Sequence, residues 1–390
     1  MDYNKAALKM HEKHKGKITV ESKIELKTKD DLSIAYTPGV AEPCRKIHEN
    51  TSDVYKYTAK GNLVAVVSDG SAVLGLGNIG AEASMPVMEG KCILFKAFGN
   101  VDAFPICLDT QFVDEIVETV VHMAPTFGGI NLEDISSPRC VEIEEALKEK
   151  LDIPVFHDDQ HGTAVVVTAA LINALKLTKK AIEDINVVVN GAGAAGFAIT
   201  KMLVDLGVKD LVVCDSKGII STERHNLNFV KEKLVKLTNQ KNLSGDLALA
   251  MKNTDVFIGV SAKDLVSKAM VQSMAKDPII FAMANPDPEI IPSLAFEGGA
   301  RVVGTGRSDY DNQINNVLAF PGIFRGALDA RASDINEAMK IAAAYAIAGI
   351  IKEEDLREDH VIPSALDKSV VKAVATAVYN AAVESHVARI

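Results

Sequence analysis

The stretch "INVVVNGAGAAGFAITKMLVDLG" (185–207) restricts the possible folds of this chain more than any other. Four of its first six residues are β-branched, a run suited to a buried strand. The glycines at 191, 193 and 196 then give a tight turn, a backbone bare of side chains and close helix packing, and an amphipathic segment follows. The N–H groups and dipole of such a helix hold an anion at its start. Asp215 ends the next strand-like run, "LVVCD", where a carboxylate accepts hydrogen bonds from ribose hydroxyls. Strand, turn, helix and acid predict a Rossmann-type unit holding a dinucleotide such as NAD through Gly191, Gly193, Ala194, Gly196 and Asp215.

"GLGNIG" (75–80) repeats the glycine spacing without the same support. Ser71–Leu74 separate it from the strand-like "LVAVVSDG", and Pro86 with Gly90 is expected to cut short any helix after it. No strand-terminal acid follows at the right distance. This copy is read as a tight turn that needs positive φ angles, placed near something other than a dinucleotide.

From residue 91 onward, short apolar runs alternate with helix-like segments, which implies α/β architecture with parallel sheet and right-handed crossovers. The expected organisation is an N-terminal α/β domain over 1–160 and a doubly wound Rossmann-type domain over 161–390. Alanine-rich helices near 337–350 and 369–383 close the chain and can pack back on the first domain. The net charge of −10 excludes a general nucleic-acid binder, which needs a basic face. The longest apolar run noted, 341–351, is too short to span a bilayer, so no membrane role is expected. The basic start, Lys5 to Lys29, is read as a solvated helix. Five scattered cysteines, never spaced C-x-x-C, read as reduced thiols, and with no export signal at the start the expected location is cytoplasmic.

Two acidic pairs, Glu133-Asp134 and Asp158-Asp159, fall where strands are expected to end. Their side chains can converge only there, because neighbours within a strand point to opposite faces. Four converging carboxylates repel unless a divalent cation neutralises them, and hard oxygen ligands suit Mg²⁺ or Mn²⁺. The alternative is that each pair caps the helix that follows. Lys91 is expected to open the apolar strand "KCILF" and to face a cleft, where a nearby metal would lower its pKa and free an amine to take a proton. Tyr36 precedes a Pro-Gly turn, and position alone gives it no role.

Together "YTPGVAEP", "SDGSAVLGLGNIG", "MEGK", "NLEDI", "HDDQHGTA", "VVVNGAGAAG", "ANPDPEI" and "NNVLAFPG" resemble, in order over residues 36–322, the small-subunit bacterial malic enzymes. The resemblance implies oxidative decarboxylation of L-malate to pyruvate and CO₂ with NAD(P) and Mg²⁺ or Mn²⁺, by a homodimer. It implies metal ligands at Glu133, Asp134 and Asp159, a general base at Lys91 assisted by Asp158, and a general acid at Tyr36. Asn285, Asn315 and Asn316 match residues that contact substrate or nicotinamide. Large-subunit relatives carry a malate-holding arginine in a "DG-x-R" stretch where this chain has Ser71 and Ala72. The N–H groups of "GLGNIG", Gly77 among them, are the expected replacement. Asp215 is expected to repel a 2′-phosphate and favour NAD, although Ser216-Lys217 could tolerate NADP. A malolactic-type enzyme or oxaloacetate decarboxylase on this scaffold, a metal-free dehydrogenase and a non-catalytic NAD sensor are the competing readings.

Overall fold

A computed structural model of the chain describes every residue except Met1, Leu74 and Asn226. Four short runs become a first, all-parallel sheet: Leu63–Ser68 (β1), Asp102–Cys107 (β2), Gly129–Leu132 (β3) and Val155–His157 (β4), in the order β2-β1-β3-β4. Val64, Ala65, Val66 and Val67 are wholly buried, because helices cover both faces and a central strand has no polar side to show. Val67 pairs with Leu132, and Leu132 with His157. That register brings three strand ends level, so Asp69, Glu133 and Asp158 leave the sheet at one edge.

The second sheet holds Asn186–Asn190 (β5), Asp210–Asp215 (β6), Gly218–Ile219 (β7), Val256–Gly259 (β8), Ile279–Ala282 (β9) and Val302–Thr305 (β10). Its order is β10-β9-β8-β5-β6-β7, parallel except for β7. The chain runs outward from β5 to β6 and then returns to the other side of β5 as β8. A doubly wound sheet opens its ligand crevice at that reversal, outside the carboxyl ends of β5 and β8. The expected α/β fold with a Rossmann-type half is what the chain adopts.

The Asp158–Thr178 helix joins the two halves. It is apolar and long enough to cross a bilayer by composition, but 67% of its most apolar window is buried within the molecule, which makes it a core helix. The sequence predicts a long helix over 162–178, within this span. The Phe320–Asp329 helix binds the halves further: Phe95 of the first domain meets Phe320 and Phe324 edge-on at 4.8 and 5.2 Å, and Phe156 meets Phe324 at 5.8 Å.

One expected element is of the wrong kind. "KCILF" is no strand: it lies within a single helix, Ala81–Gly99, that runs through both Pro86 and Gly90. Pro86 removes one hydrogen-bond rung, yet Ala81, Ser84, Met88, Cys92 and Phe95 are buried along the helix, and that packing overrides local propensity. Residues before 58 behave differently. The Tyr3–His14, Lys29–Ala35 and Ala41–Glu49 helices bury none of their residues, and Val20, Ile34 and Tyr36 stand exposed.

Candidate active site

Asp134 follows β3 in the left-handed backbone region, φ 53°, which an aspartate tolerates better than most residues. Its N–H donates to Asp159 Oδ2 at 2.8 Å, closing the loop after β3 onto the start of the Asp158–Thr178 helix. Ligand oxygens of Glu133, Asp134 and Asp159 thereby come within 4.8 Å of one another. Neither Asp158 nor Asp159 caps that helix, so the capping alternative fails at this pair. Burial raises the Glu133 carboxyl well above its usual range, and the neighbouring Asp159 and Asp158 charges add to the effect against the pull of Lys91. Burial, then the Asp159 charge, pushes Asp134 up to about 7. Asp134 Oδ2 is buried without a hydrogen-bond partner among the described residues. Crowded, mutually repelling oxygens with one left unsatisfied are a donor set that fits a hard divalent cation such as Mg²⁺ or Mn²⁺.

Lys91 reaches this cluster from the middle of its helix. Its Nζ lies 2.6 Å from Asp158 Oδ2 and 2.8 Å from Glu133 Oε1, with the Phe320 ring face 4.3 Å away. Asn316 donates to the same Asp158 oxygen at 2.5 Å, and Asn131 donates to Glu133 Oε2 at 2.9 Å. Burial alone would lower the Lys91 pKa, but the Asp158 and Glu133 charges overcome it and hold the ammonium above its ordinary range. In this arrangement, set by Asp158 and Glu133, the amine keeps its proton. Burial raises Asp158 in turn, so the pair shares a proton between two groups that are both shifted upward.

The "GAGAAG" loop meets each physical demand placed on it. Gly191 has φ 126°, and a Cβ there would lie 2.5 Å from the Val260 carbonyl. A Cβ on Gly196 would lie 1.7 Å from the Gly191 carbonyl, whereas Gly193 faces open space just before Ala194 starts its helix. Asp215 sits at the end of β6, but its carboxylate is already engaged. Arg224 donates to its two oxygens at 2.8 and 3.0 Å, Lys231 at 2.7 Å and the Lys217 N–H at 2.9 Å. Burial would raise its pKa; the Arg224 and Lys231 bonds outweigh that and hold it below the usual carboxylate range. Two cations beside one carboxylate leave the local charge positive, so Arg224 and Lys231 offset the repulsion of a 2′-phosphate expected from Asp215.

The "GLGNIG" turn folds back on the loop that follows β1. The Ile79 and Gly80 N–H groups donate to Gly70 O, and Gly77 N–H donates to Val73 O. Gly77 is therefore committed internally in this conformation and is no free donor for a carboxylate. The turn does border the other half of the crevice: a Cβ on Gly75 would lie 3.6 Å from Pro286 Cδ, beside Asn285. Asn285 bonds Met283 O at 3.3 Å, and Asn315 caps the short 316–318 turn. Tyr36 is 68% exposed at the end of the Lys29–Ala35 helix, and its phenol makes no hydrogen bond among the described residues. Sequence reasoning missed Asn131, which strand alternation places on the face of Glu133 two residues on. It also missed Arg139, whose guanidinium donates to Asp69 at 2.8 Å and to Ser71 at 2.8 Å, and no spacing rule announces that contact.

Two family models match the chain: malic enzyme N-terminal domain over 13–148 and malic enzyme NAD binding domain over 160–383. The chain belongs to the malic enzyme family. It is 61% identical to the bifunctional malic/malolactic enzyme of Bacillus subtilis, over 100% of this chain and 95% of that one. It is 58% identical to the NAD-dependent malic enzyme of Geobacillus stearothermophilus, over 96% of this chain and 78% of that one. The crystal structure of the Thermotoga maritima NAD-dependent malic enzyme superposes with a TM-score of 0.93 at 50% identity, covering 96% of this chain and 98% of that one. Other related proteins are named NADP-dependent malic enzymes. In malic enzyme terms, the first sheet carries the acidic cluster and the second carries the dinucleotide loop.

Proposed function

We propose that this malic enzyme oxidatively decarboxylates L-malate to pyruvate and CO₂ with NAD as acceptor. The carrying observation is the Lys91–Asp158 contact set against the Glu133, Asp134 and Asp159 cluster, with Asn316 of the dinucleotide-binding half bonded to the same Asp158 oxygen. When bound, a divalent cation held by Glu133, Asp134 and Asp159 supplies charge withdrawal at the C2 oxygen, and a nicotinamide supplies the hydride acceptor. Lys91 passes a proton to Asp158 and, as free amine, takes the C2 hydroxyl proton as oxaloacetate forms. Loss of the C4 carboxylate as CO₂ leaves an enolate whose C3 takes a proton from Tyr36. Phe320 and the buried helix around Lys91 keep water from competing for these protons.

Tyr36 holds this role by resemblance, and it lies on an arm whose Leu32 and Ile34 side chains are 54% and 75% exposed. A homodimer that covers this arm is the assembly we propose, and light scattering of wild type against Ile34→Glu tests it: both eluting as monomers rejects it. The five cysteines are free thiols, three of them buried, which supports a cytoplasmic setting. Arg224 and Lys231 support acceptance of NADP as a secondary acceptor.

The direct test follows NADH and lactate from L-malate with Mn²⁺, with and without EDTA. NADH with pyruvate, abolished by EDTA, is the expected result. Lactate without net NADH would assign a malolactic-type reaction, and activity that survives EDTA would assign a metal-free dehydrogenase.

A further inference from the structure

Arg139 starts the Arg139–Lys150 helix, and its guanidinium is bonded on every side of both terminal nitrogens. Nη1 donates to Asp69 Oδ2 at 2.8 Å and to Gln111 O at 2.6 Å; Nη2 donates to Ser71 Oγ at 2.8 Å and to Ser136 Oγ at 3.0 Å. A guanidinium so engaged is poorly placed to hold substrate. What it holds is the loop after β1. Asp69, fully buried at its side chain, accepts the Ser71 N–H at 3.0 Å and the Ser71 hydroxyl at 2.5 Å, and the same hydroxyl accepts the Ser136 N–H at 2.9 Å. Ala72, next along, donates its N–H to the Asp134 carbonyl at 2.9 Å.

Asp134 is the ligand that needs holding. Its φ of 53° is uncommon for a residue other than glycine and, though easier for an aspartate than for most, is held here from two sides. Its two peptide groups are fixed from opposite directions, the N–H by Asp159 and the carbonyl by Ala72. The Asp159 anchor is itself a proposed cation ligand, so the Ala72 anchor is the one independent of the ion, and Arg139 is what stiffens it.

We propose that Arg139, with Asp69 and Ser71, is a positioning device that presets the strained Asp134 backbone for the divalent cation. It acts through the Ser71–Ala72 loop and touches neither cation nor malate. The proposal rests on the reading of Glu133, Asp134 and Asp159 as the cation site. Groups behind the ligands of a metal site typically govern affinity by ten- to a hundredfold.

Calorimetric titration of Mn²⁺ into the full-length, EDTA-stripped protein, without malate or NAD, tests it in wild type, Arg139→Lys and Ser71→Ala. Lysine cannot span Asp69, Ser71 and Ser136 together, and the serine change removes one hydroxyl, so a folded protein remains even if the arginine change unfolds the chain; circular dichroism and melting report folding separately. The expected result is a Kd for Mn²⁺ raised about tenfold or more in each folded variant. At saturating Mn²⁺ kcat should return to near the wild-type value, a split that a general loss of structure would not give. Mn²⁺ binding by the wild type with an unchanged Kd in the variants overturns the positioning role alone. No Mn²⁺ binding by the wild type overturns the reading of the site, and this proposal with it.

Discussion

Lys91 and Asp158 meet at 2.6 Å, one from the middle of a first-domain helix and the other from the first turn of the helix that joins the two halves. Both are fully enclosed, so the contact is a proton-sharing pair and a structural tie at once. Lys91→Ala is expected to lower kcat by about 10²–10⁴-fold, the usual contribution of a positioned acid or base. It also strands two buried carboxylates, at about 3–5 kcal/mol. Adding Asp158→Asn should recover part of the melting temperature and none of the rate. Recovery of NADH formation in the double variant would show that Lys91 is not the base.

The cluster of Glu133, Asp134 and Asp159 makes a prediction of opposite sign with and without cation. Asp134 in the folded chain titrates near 7, above its ordinary value of 3.8, so the metal-free fold loses stability as pH rises between those values. Asp134→Asn abolishes that loss and also suits the left-handed backbone. In EDTA at pH 8 the variant should therefore melt higher than wild type, by on the order of 1 kcal/mol. With Mn²⁺ at a hundred times the wild-type Kd the order should reverse, since wild type then gains about 2.7 kcal/mol from binding. Melting curves under the two conditions suffice, and an unchanged order would remove Asp134 from the ligand set.

At the dinucleotide end, the relevant residues are Arg224 and Lys231 around Asp215. Arg224→Ala frees one side of the carboxylate for ribose hydroxyls and removes one of the two cations beside it. The expected outcome is kcat/KM for NADP reduced about tenfold, with that for NAD held or raised, because a charge-assisted hydrogen bond contributes roughly 1.5–3 kcal/mol. Equal effects on both cofactors would mean that Arg224 only supports the loop.

These contacts show which parts of the molecule a sequence can disclose. The "GAGAAG" loop was legible because its demands are local: positive φ at Gly191 and no room for a Cβ at Gly196 follow from the turn itself. The acidic cluster was legible because strand ends are where neighbouring side chains converge. "KCILF" was misread because a short apolar run fits a strand and a buried helix equally, and burial of Met88, Cys92 and Phe95 decided it. The partners of Asp215 and the Arg139 clamp were not legible. Each depends on which loops the tertiary fold brings together, and no periodicity or spacing encodes that.

Behind the cluster, a buried polar chain links three helices and should make the fold acid-sensitive. His161 accepts from Lys340 Nζ at Nδ1 (3.1 Å) and donates from Nε2 to Glu144 (2.8 Å), an arrangement that requires the neutral ring. Burial, and then the Lys340 charge, hold its pKa at about 4 despite the attraction of Glu144. Glu144 is held below the usual carboxylate range, where the His161 and Lys148 contacts outweigh its burial. The sign follows from the unfolded value of 6.5 for the imidazole: below it the unfolded chain takes up a proton that the folded chain refuses. Stability should fall as pH drops from about 6.5 toward 4, and Glu144 adds to the loss only below its own unfolded value of 4.5. His161→Gln keeps a donor toward Glu144 but cannot titrate. In Mn²⁺-saturated protein, which keeps Asp134 from titrating, wild type should lose more stability than the variant between pH 7 and pH 5, by on the order of 1–2 kcal/mol. Parallel melting temperatures over that interval would show that His161 is not the acid-sensitive group.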